Sequence, residues 1–242
     1  MVVATEVCSP LAELEKAFVA DPNKIGHLAL LPAGETIYND VIIRYFPGEH
    51  HLGSIPEPTP DRAQDYIDAA QTQFEVLRGF GIAVPNVFYA HESPDAPTTR
   101  IIGISPYVTG EKFSTEPAHW KLLGPALAPH QEATLSLAEG LVSYYDWVLN
   151  SKPTPKLYFP DISKLAQYKI ALNGQPTLID TDPLMINPFG EVGIWRVYAN
   201  LKDLSWWMSE IQTTGQDRDT LLLLQKQIKT LEKQCGRYSR VY

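Results

Sequence analysis

The sequence has few cysteines and no long apolar run. Only Cys8 and Cys235 occur among its 242 residues, far apart and in no metal-binding spacing, so we expect neither a disulfide framework nor a zinc site. No apolar run approaches the roughly 18–20 residues that a membrane-spanning helix needs. The N-terminal residues lack the basic start of a signal peptide. These absences predict a cytoplasmic protein with no membrane partner.

Several motifs of nucleotide-binding and hydrolytic enzymes are also missing. The sequence contains no Gly-Lys-Ser/Thr phosphate loop, no Gly-x-Gly-x-x-Gly turn and no Gly-x-Ser-x-Gly nucleophile elbow. The 20 basic residues against 28 acidic residues give a formal net charge of −8. Because an acidic surface repels nucleic-acid phosphates, and no basic run with interleaved aromatic residues occurs, we expect no nucleic-acid partner.

The first hundred residues alternate between strand-like and helix-like patterns. Apolar residues at helical spacing after Asp61 predict a helix that ends near Gly81 and Pro85, with one buried stripe made of Ile67, Ala70, Phe74 and Leu77. Short apolar runs bounded by turn residues predict four strands. These strands are expected at residues 27–31, 36–46, 86–91 and 100–105, the first two joined by a turn at residues 32–35.

The rest of the chain is predicted to be mostly helical. Amphipathic patterns predict helices over residues 131–150 and 217–234, the first burying Leu135, Ala138, Leu141, Val142 and Tyr145. Between them, residues 168–172 and 176–179 flank Asn173-Gly174, a pair that favours a tight β-hairpin turn. The predicted class is therefore α+β.

Polar side chains surround this hairpin. Asp161 precedes it, Gln167 lies at its entry, and Asp180 and Asp182 follow its exit. Because a tight hairpin brings its ends together, we expect Gln167 and Asp180 to lie close in space. Carboxylate and amide oxygens are ligands that suit Mg²⁺. The alternative is that Asp180 and Asp182 only cap the turn before Pro183, which is a common role for aspartate.

Four segments in this order resemble the protein-kinase-like fold, nearest the small-molecule kinases typified by aminoglycoside phosphotransferases. Val-Ile-Ile-Arg at residues 41–44 is similar to the strand that carries the phosphate-binding lysine of that fold. Residues 74–85 are similar to its helix-to-strand junction, and residues 102–111 to its hinge. Asp161, Gln167 and Asp180 fall where the family has its catalytic-loop Asp, its metal-binding Asn and its metal-binding Asp. The resemblance covers residues 28–183.

The resemblance implies a two-lobed molecule. Residues 1–104 would form an N-lobe with a small antiparallel sheet and one long helix. Residues 105–242 would form a mostly helical C-lobe, with the catalytic-type hairpin at residues 166–180. The implied cofactors are ATP and Mg²⁺, and the implied partners are a nucleotide and an acceptor that the sequence does not identify.

The resemblance also implies roles for individual residues. Asp161 would orient or deprotonate the acceptor hydroxyl. Asp180 and Gln167, with Asp182 close by, would hold Mg²⁺ against the phosphates. The backbone around Ser105 and Tyr107 would bind adenine. The phosphates would be reached by Arg44, steadied by Glu75 or, alternatively, by Asp68.

The sequence departs from the family pattern at several points. Arg44 stands where the family has lysine, and a planar guanidinium is not equivalent to an ammonium. No glycine-rich loop precedes residues 36–46, and the Asp161 to Gln167 gap is one residue longer than usual. Phe159-Pro160 replaces the usual pair before the catalytic Asp. We therefore expect either a phosphotransferase, a catalytically inactive kinase-like binding module, or an unrelated α+β interaction protein.

Overall fold

A computed structural model describes residues 35–38, 41–46, 63–91, 101–112, 131–152, 157–179, 181, 186–211 and 216–238. Within these ranges the protein has an α+β fold with four α-helices and two small antiparallel sheets, so the predicted class is confirmed. The helices are α1 (Ala63–Gly79), α2 (Gln131–Asn150), α3 (Glu191–Glu210) and α4 (Gln216–Tyr238). The strands are β1 (Glu35–Tyr38), β2 (Val41–Phe46), β3 (Phe88–His91), β4 (Ile101–Pro106), β5 (Gly110–Lys112), β6 (Tyr168–Ala171) and β7 (Pro176–Leu178).

The first sheet has the order β1-β2-β4-β3, and all its neighbours are antiparallel. The predicted pairing of the strands near residues 86–91 and 100–105 is confirmed by β3 and β4. The single strand predicted over residues 36–46 is wrong, because Tyr38 pairs with Val41 and the hairpin connection falls inside that range. Asn39 and Asp40 between them are residue types that favour tight turns. The strand predicted at residues 27–31 lies outside the described residues.

Helix α1 buries the stripe that its sequence predicts. Ile67, Ala70, Phe74 and Leu77 are all buried. The ring of Phe74 stacks on that of Phe159, with 4.9 Å between the ring centroids. After the helix, the backbone of Ala83 accepts a hydrogen bond from Leu178 N at 2.9 Å. The C-terminal end of α1 is therefore fixed against the segment before the turn at residues 160–163 and against β7.

The second sheet has the order β5-β6-β7 and contains the predicted hairpin. Its register differs by one residue from that of a two-residue turn at Asn173-Gly174. Tyr168 pairs with Leu178, and Ala171 N donates to Gln175 O, so three residues form the turn. Gly174 has a φ of 81°, a left-handed conformation that glycine adopts readily. As a consequence Leu172, predicted at the end of the strand, lies in the turn and is 88% exposed.

Helix α2 buries more than half of its 20 residues. It spans the predicted residues, and all five side chains predicted to point inward are buried. Gly140 lets it approach the segment just after α1 closely, because a Cβ there would lie 2.7 Å from the carbonyl oxygen of Phe80. Helix α4 packs against both α2 and α3 through the predicted stripe of Leu221, Leu224, Ile228 and Leu231, which is buried.

The chain divides into two compact units by its internal contacts. Among the described elements, the first unit contains the sheet β1–β4 and the start of α1. The second contains α1 from Asp68 onward, the sheet β5–β7 and helices α2–α4. Most of α1 therefore belongs with the second unit by its contacts, and the lobe boundary expected between residues 104 and 105 stays a prediction. None of the helices in the described ranges combines the length and apolarity needed to cross a membrane.

Candidate functional site

The candidate site is built on a turn at residues 160–163, which carries Asp161. The chain enters the turn through Tyr158, whose backbone exchanges two hydrogen bonds with that of Ile186, at 2.9 and 3.1 Å. It leaves through a short 3₁₀ helix, Leu165–Gln167, which leads directly into β6. The turn is therefore anchored at its entry by an isolated β-bridge and at its exit by the hairpin sheet.

Asn200 of α3 fixes the backbone of this turn from one side. Its side chain is 2% exposed and donates from Nδ2 to the carbonyl oxygen of Pro160 at 2.5 Å. Its Oδ1 accepts from the backbone N–H of Ser163 at 3.2 Å. The same Nδ2 also donates to the carbonyl of Arg196 in its own helix. Asn200 thus satisfies two backbone groups of the turn that would otherwise be buried without partners.

Buried tyrosines hold the turn from the other side. Tyr168 OH donates to the carbonyl of Ile162 at 2.6 Å, and Tyr145 OH shares a hydrogen bond with Ser163 Oγ at 3.1 Å. Burial raises the pKa of Tyr145 well above its ordinary value, so this hydroxyl stays protonated. With four hydrogen bonds from three side chains, the turn presents Asp161 in a defined position.

The carboxylate of Asp161 lies between two cations. Lys164 Nζ is 2.9 Å from Oδ2, and Arg196 Nη1 is 3.3 Å from Oδ1. The Asp161 side chain is 31% exposed, and those of Lys164 and Arg196 are 39% and 40% exposed. All three groups are therefore accessible to a ligand in solvent, while the contacts between them hold the side chains next to one another.

A second carboxylate, Asp203, is electrostatically coupled to this group. It is half-buried on α3, and burial raises its pKa to about 6. The positive charge of Lys164 opposes this rise, and the negative charge of Asp161 adds to it. Arg196, Asn200 and Asp203 are spaced by four and three residues, so they share one face of α3. That face is the one directed to the turn.

Gln167 ends the 3₁₀ helix that follows the turn. Its backbone carbonyl accepts a hydrogen bond from Ile179 N at 2.7 Å, so the residue opposite it is Ile179. Asp180, predicted to lie close to Gln167, is the next residue in sequence. Asp180 and Asp182 are outside the described residues, and their part in the site stays a prediction.

The predicted nucleotide-binding residues of the first sheet lie on β2 and β4. Arg44 pairs with Gly103, and Ser105 pairs with Ile42. Ser105 is buried, and Tyr107, just beyond β4, is half-buried. Their predicted contacts with phosphates and adenine stay predictions.

Glu75, the predicted partner of Arg44, lies on an exposed part of α1. Its carboxylate accepts a hydrogen bond from Arg78, three residues along the same helix. Asp68, the alternative partner, is likewise exposed. The Glu75 carboxylate is therefore paired within its own helix, and the support of Arg44 by Glu75 or Asp68 stays a prediction.

Sequence reasoning missed Lys164, Arg196, Asn200 and Asp203. A lysine three residues after Asp161 carries no recognisable motif. The other three residues lie 35 or more positions further along the chain, in a segment for which the sequence analysis predicts no functional role. Their spacing of four and three residues places three polar side chains on one face of a helix, and this was the one available signal.

Over the ranges that the structure describes, no three His, Cys, Asp or Glu side chains are grouped so that they could hold a metal ion. The comparisons with known proteins add no family: no protein-family model matches the chain, and no curated protein matches it in sequence. The candidate site is therefore argued from its own geometry.

Proposed function

We propose that this chain is a protein-kinase-like phosphotransferase that moves the γ-phosphate of ATP to a hydroxyl of a small molecule or protein. The observation that carries the proposal is the arrangement at Asp161. A carboxylate that is 31% exposed sits on a turn fixed by buried side chains, with one cation on each oxygen. Solvent-exposed ion pairs contribute at most about 1 kcal/mol to stability. Stability alone therefore does not account for a carboxylate that is held in position in this way.

In this proposal Asp161 orients the acceptor. A hydroxyl that donates its hydrogen bond to the carboxylate directs an oxygen lone pair at the γ-phosphorus. The new bond forms between that oxygen and phosphorus while the bond from phosphorus to the β–γ bridging oxygen breaks. Asp161 takes the hydroxyl proton, and ADP leaves with the electron pair of the broken bond.

Lys164 and Arg196 would supply positive charge next to this carboxylate. The transferring phosphoryl group spreads negative charge over its equatorial oxygens, and fixed cations stabilise it without reorganisation. Both side chains already lie within hydrogen-bonding or ion-pair distance of Asp161. The Lys164 ammonium and the Arg196 guanidinium each carry several N–H donors, so each can donate to a phosphate while it keeps its contact with Asp161.

The metal would be held by oxygen ligands at the exit of the hairpin. Gln167 is half-exposed at the start of β6, and the backbone opposite it belongs to Ile179, the residue before Asp180. Asp180 and Gln167, with Asp182, offer the hard oxygen donors that Mg²⁺ prefers. When bound, Mg²⁺ would neutralise charge on the ATP phosphates.

The order of elements is consistent with a two-lobed kinase-like molecule. Within the described ranges, a four-stranded antiparallel sheet and helix α1 come first, and the long buried helix α2 and the three-stranded sheet with the hairpin belong to the second unit. In the proposal Arg44 contacts phosphates, the backbone at Ser105 and Tyr107 contacts adenine, and the chain passes from the N-lobe to the C-lobe between residues 104 and 105.

The second candidate function is a catalytically inactive kinase-like binding module. The observation that favours it is Glu75, which is paired with Arg78 of its own helix. The absence of a glycine-rich loop and the arginine in place of lysine at position 44 point the same way. Such a module would keep the Asp161 turn as a binding surface and would not turn over ATP.

The experiment that separates the two functions measures binding and transfer on the same variants. Thermal unfolding with ATP and Mg²⁺ detects binding, because a ligand at a hundred times its Kd stabilises by about 2.7 kcal/mol, or roughly 5–11 °C here. Release of ADP with candidate hydroxyl acceptors detects transfer. The variants are Asp161→Asn, Asp180→Ala and, as a matched control, Asp219→Asn on the exposed face of α4.

A phosphotransferase binds Mg²⁺·ATP, loses binding in Asp180→Ala, and in Asp161→Asn keeps binding while losing at least a hundredfold of the transfer rate. Binding without transfer in the unmodified chain selects the binding module. No stabilisation by millimolar ATP, with or without Mg²⁺, overturns the phosphotransferase proposal.

A further inference from the structure

Among the described residues, Trp195 of α3 is the aromatic side chain with the largest exposed fraction, 61%. Single exposed apolar side chains are common on protein surfaces and need no ligand to account for them. Trp195 differs from such residues in its neighbour. The guanidinium carbon Cζ of Arg196 lies over the indole ring, 5.4 Å from the ring centroid, which is the distance of a cation–π contact. The exposed ring is therefore in contact with a residue of the candidate site.

Arg196 joins this ring to Asp161. Its Nη1 lies 3.3 Å from Asp161 Oδ1 while its Cζ lies over the indole. Adjacent residues on a helix point in different directions, so the Arg196 side chain must bend back over Trp195 to make the second contact. Because a free arginine side chain has many rotamers, a contact that favours this bent conformation also favours the ion pair. The ring centroid and Asp161 Oδ1 are at most about 10 Å apart, because only the Cζ–Nη1 bond separates the two contacts.

The next exposed aromatic residue on α3 has different surroundings. The ring of Tyr198, which is 37% exposed, has Lys202 Nζ 5.1 Å from its centroid. The same Nζ lies 3.1 Å from Glu232 Oε2 of α4. This aromatic residue, its cation and its carboxylate therefore connect two packed helices. The corresponding series that starts at Trp195 ends instead at the Asp161 carboxylate, which is 31% exposed and accessible to a ligand.

We propose that Trp195 forms an acceptor subsite beside Asp161: its ring positions Arg196, and its exposed surface stacks on the ring of a neutral cyclic alcohol, either a sugar or an aromatic alcohol. A flat ring face packs on an indole over a large area, and the indole loses little conformational entropy when it does so. The distance to Asp161 is within the reach of one such ring and its hydroxyl group. The positive charge of Arg196 and Lys164 disfavours a cationic acceptor. As a statement about the acceptor, this inference rests on the proposed phosphotransferase function; ring binding at Trp195 does not.

The first test measures the position of Arg196 without any ligand. The ring current of an indole shifts the Hε resonance of an arginine that lies over it upfield. The Hε resonance of Arg196, assigned by NMR from its absence in Arg196→Lys, is compared among the unmodified chain, Trp195→Leu and Trp195→Phe. We expect Trp195→Leu to return it toward the value of a free arginine and Trp195→Phe to keep part of the upfield shift. Tyr198→Leu, the matched control on the same helix, should leave it unchanged.

An Arg196 resonance that does not move in Trp195→Leu, or that moves as far in Tyr198→Leu, overturns the positioning role of Trp195. A general loosening of α3 would affect both variants alike, so a response to Trp195→Leu alone supports it.

The second test measures ring binding with three probes, methyl β-D-glucopyranoside, benzyl alcohol and open-chain glycerol, by NMR titration of the full chain. We expect a cyclic probe to bind more tightly than glycerol, and Trp195→Leu to weaken its binding by about 3–10-fold, as expected for one aromatic contact. Trp195→Phe should recover part of this loss, and Tyr198→Leu should match the unmodified chain. Tighter binding of the glucoside selects a sugar acceptor, and tighter binding of benzyl alcohol selects an aromatic one. Equal binding of glycerol and both cyclic probes, no binding of either cyclic probe, or equal affinities in Trp195→Leu and the unmodified chain overturns the subsite.

The third test connects the subsite to phosphate transfer. ADP release from Mg²⁺·ATP is measured with the cyclic probe that binds more tightly. We expect Trp195→Leu to raise the KM for this acceptor by the factor that its binding is weakened, and an unchanged KM refutes the acceptor role. Absence of ADP release with every probe in the unmodified chain counts against the proposed function, while probe binding still decides whether Trp195 is a ring-binding subsite.

Discussion

Asn200→Ala is the substitution that tests most directly whether the Asp161 turn is a fixed structure. Asn200 is 2% exposed and hydrogen-bonds two backbone groups of the turn, the carbonyl of Pro160 and the N–H of Ser163. Alanine favours the α3 helix more than asparagine does and removes all of these bonds. The effect on stability therefore reports the turn and not the helix.

The expected loss follows from the groups left behind. A buried donor or acceptor without a partner destabilises by about 1–3 kcal/mol, and here one of each is left. The gain in helix propensity from asparagine to alanine returns roughly 0.7 kcal/mol. The net loss is about 1–5 kcal/mol, which for a chain of this size lowers Tm by roughly 2–20 °C.

The assay is thermal and urea unfolding of Asn200→Ala beside Asn150→Ala. Asn150 is also on a helix, but it is exposed and bonds only to the side chains of Asp146 and Gln234. We expect the control to change stability by less than about 0.5 kcal/mol. If the two variants unfold within about 0.5 kcal/mol of each other, the turn is not fixed as described, and the positioning of Asp161 loses its basis.

Three further substitutions test other parts of the structure by thermal unfolding. Gly193→Ala should destabilise by about 1–3 kcal/mol, because its Cβ would overlap the backbone of Asn187. Its control, Gly236→Ala, has open space around the new Cβ and should stabilise by up to about 1 kcal/mol. Equal effects of the two substitutions would contradict the close approach of Gly193 to Asn187. Burial raises the pKa of Asp203 in the folded state to about 6. The free energy of unfolding is therefore highest below the unfolded-state pKa of Asp203, and this contribution is lost as pH rises through 6. Asp203→Asn should therefore be more stable than the unmodified chain by roughly 1 kcal/mol at pH 8, after allowing for partial exposure, and no more stable at pH 4. Leu172→Asp should change stability by less than about 0.5 kcal/mol, since the side chain lies in an exposed turn. A loss above about 1 kcal/mol would indicate that Leu172 is packed in the strand instead.

The helices could be predicted because their signal is local and repeated. In α2 the five residues predicted to face inward are buried, and the predicted span agrees with the observed one. In α1 the four residues of the stripe are likewise buried. An apolar residue every three or four positions over several turns leaves one face to bury, whatever the rest of the fold does.

The hairpins are harder to predict than the helices, because strand register depends on turn geometry and not on the apolar pattern alone. Around β1 and β2, two apolar runs separated by only Asn39 and Asp40 were interpreted as one strand. Around β6 and β7, the Asn173-Gly174 pair correctly predicted the hairpin, but the turn has three residues and Gly174 provides the left-handed position. A shift of one residue exchanges the two faces of a strand, so it moves Leu172 from the sheet to solvent.

The candidate site could be predicted only where its residues are close in sequence. Asp161 and Gln167 were selected from the segment before the hairpin. Arg196, Asn200 and Asp203 come from a helix 35–42 residues after Asp161, and although they share one face of it, the sequence does not indicate that this face meets the turn. That choice is made by packing of α3 against α4 and by the start of α3 at the close approach of Gly193 to Asn187.

The turn and the Asp161 carboxylate depend on different interactions, so substitution of Asp161 can separate function from folding. The hydrogen bonds that fix the turn come from Asn200, Tyr145 and Tyr168, none of which involves the Asp161 carboxylate. Its own two ion pairs are partly exposed, and such pairs contribute at most about 1 kcal/mol each. Asp161→Asn therefore leaves the scaffold of the turn in place and removes mainly the negative charge that Lys164 and Arg196 approach. A functional loss much larger than its small stability change must come from what the carboxylate does for a ligand, whereas a loss matched by unfolding would mean that the charge serves the fold.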